Sequence, residues 1–257
     1  KHRFSARYSQ SETNDDDMVN TSSGPTGATR LNNGRRGGTN GGLAFDGTNF
    51  KNNTKVISGV SELNSSISSK VSNQLIASYT DNQPKRVPNV SAPFVDIMKD
   101  ASNVYISLGT DLFSYKNSIK DIAYNVSDNV TANLGKHVIT GGVSYEYMTF
   151  ENSFMSSGGP SYYRYASLQD FLDNKAPSFF NVTYDPANPT GINVPSAKFA
   201  QLGVYVQDVW SASDKFKLTY GVRVDKPFYP YTPPKNAALE AVVFKDEKGN
   251  DESFDVS

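Results

Sequence analysis

Cysteine is absent from this 257-residue chain. That excludes a disulfide-stapled scaffold, a thiolate metal site and a cysteine nucleophile. Histidine occurs only as His2 and His137, each beside a lysine at the start of a strand-like stretch. A zinc site wants about three or four protein ligands, so both histidines read as turn residues and no metal, cofactor or catalytic residue is assigned. Charge of one sign is also missing. Lys and Arg number 25 against 26 Asp and Glu, so there is no basic face for nucleic acid. Asp15-Asp16-Asp17 and the acidic segment 246–252 do not fit the spacing of an EF-hand and read as solvated loop charge. Long apolar runs are lacking too: none reaches the roughly 20 residues of a transmembrane helix. No leader pattern opens the chain and no stop closes it, so an internal stretch of a longer protein is expected.

Hydrophobic residues make up 37% of the chain and mean hydropathy is -0.51, yet Tyr and Phe occur 15 times each. Few aliphatics with many aromatics, Asn, Ser, Thr and Gly suit a sheet whose two faces meet different solvents. A transmembrane barrel needs only an outer apolar band, and its interior is polar. Seven stretches alternate as strands do, near residues 2–12, 55–68, 73–83, 119–134, 137–153, 198–211 and 216–229. The last pair is clearest. Leu202, Val204 and Val206, then Leu218, Tyr220, Val222 and Val224, fall on one face. Gln201, Tyr205 and Gln207, then Arg223 and Asp225, fall on the other. Period-2 alternation of this kind marks a strand with one apolar and one polar face. Glu146 takes the polar side of the fifth stretch, opposite Tyr145 and Tyr147.

Short turns near 69–72, 135–136 and 212–215 alternate with long connections near 13–54, 84–118 and 154–197. Outer-membrane barrels are built this way, with short turns at one end and long loops at the other. The first long connection is Gly- and Asn-rich at 32–42 and reads as flexible. The third holds a short helix at 167–173 with Ser167 as N-cap, followed by Pro177, Pro186, Pro189 and Pro195, which exclude regular strand pairing there.

The hairpin Ala200-Gln201-Leu202-Gly203-Val204-Tyr205-Val206-Gln207-Asp208-Val209-Trp210, then Lys217-Leu218-Thr219-Tyr220-Gly221-Val222-Arg223-Val224-Asp225, resembles one common in the barrels of TonB-dependent receptors. Lys1-His2-Arg3-Phe4-Ser5-Ala6-Arg7-Tyr8, Glu62-Leu63-Asn64-Ser65, His137-Val138-Ile139-Thr140-Gly141-Gly142 and Tyr165-Ala166-Ser167-Leu168-Gln169-Asp170-Phe171-Leu172 resemble the Oar-like branch, with the SusC-like branch as the close competitor. The resemblance covers residues 1–230 and implies that residues 1–257 are part of one receptor barrel in the Gram-negative outer membrane. It also implies a plug domain and a TonB motif outside this chain. The implied partners are outer-membrane lipid, the TonB complex, the receptor's own plug, and a surface lipoprotein or a protein or peptide substrate.

The expectation is therefore an all-β, antiparallel transmembrane barrel segment with long extracellular loops, acting in energy-coupled uptake and not as an enzyme. Gln201, Tyr205, Gln207, Arg223, Asp225 and Glu146 are the lumen-facing candidates. Leu202, Val204, Val206, Leu218, Tyr220, Val222 and Val224 are the lipid-facing set, and Trp210, Phe228 and Tyr229 form an aromatic girdle. Arg30, Arg35 and Arg36 make a candidate ligand loop, weighed against plain surface solvation. The alternative is a secreted or surface β-sandwich that binds glycans or acts as an adhesin. The two differ in one observable: a sandwich covers its apolar faces with a second sheet, and a barrel leaves them for lipid.

Overall fold

A computed structural model describes residues 1–36, 41–154, 161–184, 194–231, 238 and 241–253. In chain order the strands are β1 (His2–Asp17), β2 (Leu43–Ala44), β3 (Phe50–Ser66), β4 (Val71–Pro88), β5 (Phe94–Met98), β6 (Val104–Leu108), β7 (Ser118–Leu134), β8 (His137–Ser153), β9 (Tyr162–Tyr165), β10 (Phe179–Asn181), β11 (Ser196–Ser213), β12 (Phe216–Phe228), β13 (Val243–Lys245) and β14 (Asp251–Ser253). One helix, α1 (Leu168–Leu172), lies between β9 and β10, and a single 3-10 turn spans Asp46–Thr48. The helix is where Ser167 foretold it: the Ser167 Oγ accepts from the Asp170 N–H at 3.1 Å.

The seven long strands form one open sheet in the order β1-β3-β4-β7-β8-β11-β12, antiparallel throughout. These are the seven stretches read from alternation, and several are longer than expected. β1 runs on to Asp17, β3 starts back at Phe50 and β4 reaches Pro88. The added residues are mostly polar, with Phe50 and Val87 as isolated apolar positions, so no apolar alternation marks them. They still ladder, and they bond to each other: Asn53 Nδ2 donates to Glu12 and Asn14 at 2.9 and 2.7 Å. The Asp15-Asp16-Asp17 run is therefore exposed strand and not loop.

The three short turns share one end of this sheet. The Ser66 N–H bonds to Lys1, Asn133 to Lys70, and Ser211 to Lys136, which stitches that end across neighbouring hairpins. Gly135 opens the two-residue turn between β7 and β8 with φ +67°, a conformation that glycine adopts without steric cost. Between β11 and β12 the register slips at Ser211/Ser213, a bulge at the mouth of the hairpin.

Alternation marked no strands in the long connections, and of the segment 32–42 read as flexible residues 37–40 lie outside the described residues. The long connections pool short strands into a second sheet, ordered β10-β9-β5-β6-β2. The seven long strands pair antiparallel as expected, and within this second sheet β5 pairs parallel with β9, and β2 with β6. The parallel pairs join strands from different connections, so no hairpin dictates their direction. Pro177 precedes β10 and Pro195 precedes β11, while Pro186 and Pro189 lie outside the described residues. The described core sits in this region, in one cluster of Val19, Phe94, Leu112 and Tyr162 and another of Leu31, Met98 and Val104. β13 and β14 form a separate small hairpin.

Candidate functional site

The polar face of the large sheet carries a continuous side-chain network. Arg223 is the register partner of Tyr205, and Asp225 of Gly203. The Arg223 guanidinium donates to Asp225 at 2.7 Å and to the Ser144 Oγ at 2.9 Å, and its Cζ lies 5.3 Å from the Tyr205 ring centre. The Tyr205 hydroxyl donates to Asn129. Glycines make room for these flat-lying groups. A Cβ on Gly142 would meet the Tyr205 Oη at 2.6 Å, and one on Gly203 would meet the Asp225 Oδ1 at 2.5 Å. Glu146 and Gln201 line a cavity of about 360 Å³ with Tyr205 and Arg223, and a second of about 460 Å³ follows along the same face at Gln74, Asn129, Thr131 and Thr140.

The opposite face carries the apolar set, and among the described residues no second sheet covers it. Val204 is 54% exposed, Val222 61% and Tyr145 39%. This band runs diagonally across the register. One cross-strand row reads Val222, Val206, Gly141, Val130, and continues into Asn73, Ser65 and His2. Another row begins at Lys226 and continues through Leu202, Tyr145, Val126 and Ala77 to Ser61 and Ala6. The apolar stretch thus slides along the strands from β12 to β1. A flat slab of lipid cuts strands tilted by about 35–45° in this manner.

The second sheet is organised around a buried ion pair. Arg35 and Asp96 are both fully buried, with the Arg35 Nη2 2.7 Å from the Asp96 Oδ2. Arg35 also donates to the carbonyls of Asn20 and Ser23, at 3.0 and 2.6 Å. Asp96 accepts further from the Ser107 Oγ at 2.5 Å and the Tyr162 Oη at 2.6 Å. Burial alone would raise the Asp96 carboxyl, but the Arg35 charge and these hydrogen bonds outweigh it and hold it below the usual carboxylate range. Burial pushes the Tyr162 hydroxyl up, and the neighbouring Asp96 charge pushes it further. A buried pair persists only when its remaining donors and acceptors are met, and each Asp96 oxygen is met here.

The model of the outer membrane beta barrel domain family matches residues 1–253. The chain belongs to this family. It is an outer-membrane protein of Gram-negative type, and its seven-strand sheet is barrel wall, with β1 and β12 as open edges among the described residues. No curated protein and no solved structure matches the chain.

On this barrel sheet the six residues expected in the lumen, Gln201, Tyr205, Gln207, Arg223, Asp225 and Glu146, share one face, and the seven expected against lipid share the other. The apolar face is not purely apolar. Asp208 lies on it between Val206 and Trp210, held by His137 at 2.6 Å and the Tyr220 Oη at 2.7 Å. His137 is thus more than a turn residue: it also stacks on Trp210 at 6.0 Å. The three girdle candidates stand at different places. Trp210 stands near the short-turn end and Phe228 near the long-loop end, both on the apolar face. Tyr229 instead packs edge-on against Phe199, which alternation puts on the polar face.

The ligand-loop assignment divides. Arg30 and Arg36 are exposed, but Arg35 is neither solvated nor open to a ligand, because Asp96 claims it. Sequence reasoning passed over Asp96, Tyr162 and Arg164. The available signals were the short apolar run Phe94-Val95-Asp96-Ile97-Met98, buried at all five positions, and the aromatic run Tyr162-Tyr163-Arg164-Tyr165. A short apolar run bounded by turn residues is what a fully buried strand looks like. Among the described residues no group of three or more His, Asp or Glu side chains could hold a metal ion.

Proposed function

We propose that this domain is part of the barrel of a TonB-dependent receptor of the Oar-like branch, which takes up a substrate across the outer membrane using energy passed by the TonB complex. In this reading the apolar face holds the wall in lipid and the polar face lines a lumen occupied by the receptor's plug. The small sheet caps the outer end, where cargo is captured. The protein moves cargo and makes or breaks no bonds in it.

The supporting observation is the pairing of a bare, diagonally running apolar band with an ordered loop sheet at the long-loop end. An uncovered band of this extent disfavours the secreted β-sandwich, since soluble proteins rarely expose large contiguous apolar patches. Seven strands are too few to enclose a plug, for which about 22 are needed, so the proposed receptor has further strands. The resemblance of the β11–β12 hairpin supports the branch.

The test is a pull-down of the full-length protein, in detergent, by the periplasmic domain of TonB. Specific retention, lost when the N-terminal TonB motif is deleted, is expected. A full-length protein with no retention and no plug would be a passive channel or scaffold, and the uptake reading would fall.

A further inference from the structure

Arg164 lies beside the buried pair and is only 6% exposed. Its Nε donates to the Tyr162 Oη at 2.7 Å and its Nη1 to the Thr29 carbonyl at 2.9 Å. Both acceptors are neutral oxygens. Asp96 is already matched by Arg35, so Arg164 adds a positive charge that this carboxylate does not balance. Its Nη2 is buried and has no hydrogen-bond partner among the described residues. Buried donors are nearly always paired, and an orphaned guanidinium nitrogen calls for an unseen partner.

A cavity of about 370 Å³ adjoins this side chain. Met98, 4% exposed, and Arg164 form its buried part, and Phe179 adds an aromatic wall. Thr29, Asp100 and Ala166 line it as exposed residues, so it opens to solvent. Arg164 and Asp96 are register partners on β9 and β5, and Arg164 is among the residues that line the cavity.

We propose that this cavity binds a monocarboxylate carried on a short apolar body, such as the C-terminal residue of a peptide, with the carboxylate taken by the Arg164 Nη2. The apolar body lies against Met98 and Phe179. Asp100 selects against a second negative charge. Its carboxylate is held by the Asn103 side chain and by the backbone N–H groups of Ser102 and Asn103, and these keep it well below the ordinary carboxylate range. A dianion would face that fixed charge at the opening. Two anionic partners for Arg164 are thereby separated, a carboxylate that brings one negative charge and a phosphate dianion that brings two, and water is set apart from both because it satisfies the donor without balancing the charge.

The site lies in the loops that the uptake reading makes the capture surface, but binding needs neither TonB nor a proton gradient, so the two readings fail separately. The experiment is calorimetry on the full-length protein in detergent micelles, with N-acetyl-leucine, its C-terminal amide and inorganic phosphate as probes. The acid should bind about tenfold or more tighter than the amide, the difference expected of a charge-assisted hydrogen bond, and phosphate should bind more weakly than the acid. Arg164→Gln should erase the preference for the acid. If Arg164→Gln loses the protease resistance of the loop sheet, Ala166→Leu decides instead: it adds bulk to the cavity lining at an exposed position, keeps the Arg164 charge, and should weaken the acid about tenfold. Equal binding of acid and amide, no binding of the acid at millimolar concentration, tighter binding of phosphate, or an Ala166→Leu protein that binds the acid unchanged would each overturn the proposal.

Discussion

The two sheets of this molecule solve the same problem in different solvents. Among the described residues of the seven long strands, only Phe50 and Ala200 are buried hydrophobics, while the small loop sheet and its covering segments bury Val19, Leu31, Phe94, Val95, Ile97, Met98, Val104, Leu112 and Tyr162. The large sheet has length and ladders but no core of its own. Its apolar side chains stand open, as suits a wall whose second layer is lipid. The small sheet has short strands and a buried centre, as suits a domain in water. The polar chemistry divides likewise. On the large sheet Arg223 and Asp225 pair while partly exposed, whereas Arg35 and Asp96 pair in complete burial. Surface pairs contribute little, while breaking a buried pair is costly because the partner's charge is left stranded.

The largest effect should come from Asp96→Ala. It strands Arg35 and takes an acceptor from Tyr162, a loss of about 3–5 kcal/mol in the loop sheet. Proteolysis should then open the connections at 18–49 and 89–117, while the heat-modifiable gel mobility of the barrel is kept. A barrel that fails to assemble would show that the two regions are not energetically separate. Titration sharpens the same point. The Asp96 carboxyl is depressed in the fold, so its stabilisation is complete above the unfolded value of about 3.9 and drains away as pH falls through the lower folded value. Tyr162 is raised, so its share is complete below about pH 10 and is lost as pH rises through its folded value. Protease resistance of the loops should therefore hold across neutral pH and fail at both extremes. Asp96→Asn should flatten the acid limb.

The next effect belongs to the other sheet. Val222→Arg puts a charge into the apolar band at a cost of about 2–4 kcal/mol near the midplane, whereas Arg223→Gln changes a partly exposed group on the opposite face. The first should reduce assembled barrel on a heat-modifiable gel far more than the second. Near-equal assembly of the two variants would mean that the apolar face is not the lipid face.

The same division explains what could be read from the sequence. Alternation gave all seven long strands, because a wall between two solvents imposes a two-residue period wherever one face is apolar. It lost the extensions at 13–17 and 50–54, which are polar apart from Phe50 and so carry no repeated apolar position. It lost the loop sheet as well. β5 is buried on both faces and so has no alternation, and β2, β9 and β10 span two to four residues each, too few to show a period. Arg35 was misplaced for a related reason. Its neighbours Gly34, Arg36 and Gly37 look like solvated loop, and only the long-range meeting with Asp96, 61 residues away, buries it. Ser167 was readable because capping is local chemistry: the acceptor and the amide it serves are three residues apart.

That locality sets the smallest prediction. Ser167→Ala should cost about 1 kcal/mol, the usual value of a helix N-cap, and the loss should stay within α1. Two contacts contain it. Phe171 packs edge-on against Tyr165 at 5.2 Å, and Lys175 bonds to Asp170 at 2.7 Å, so the helix stays docked on β9 after its first turn loosens. Hydrogen exchange should quicken at the Asp170 amide by roughly fivefold, the factor that about 1 kcal/mol represents. The amides of β5 and β9 flanking Asp96 and Arg164 should exchange as before. Faster exchange there would mean that α1 helps to hold the buried pair, and that the core of the loop sheet extends further than its two clusters of side chains.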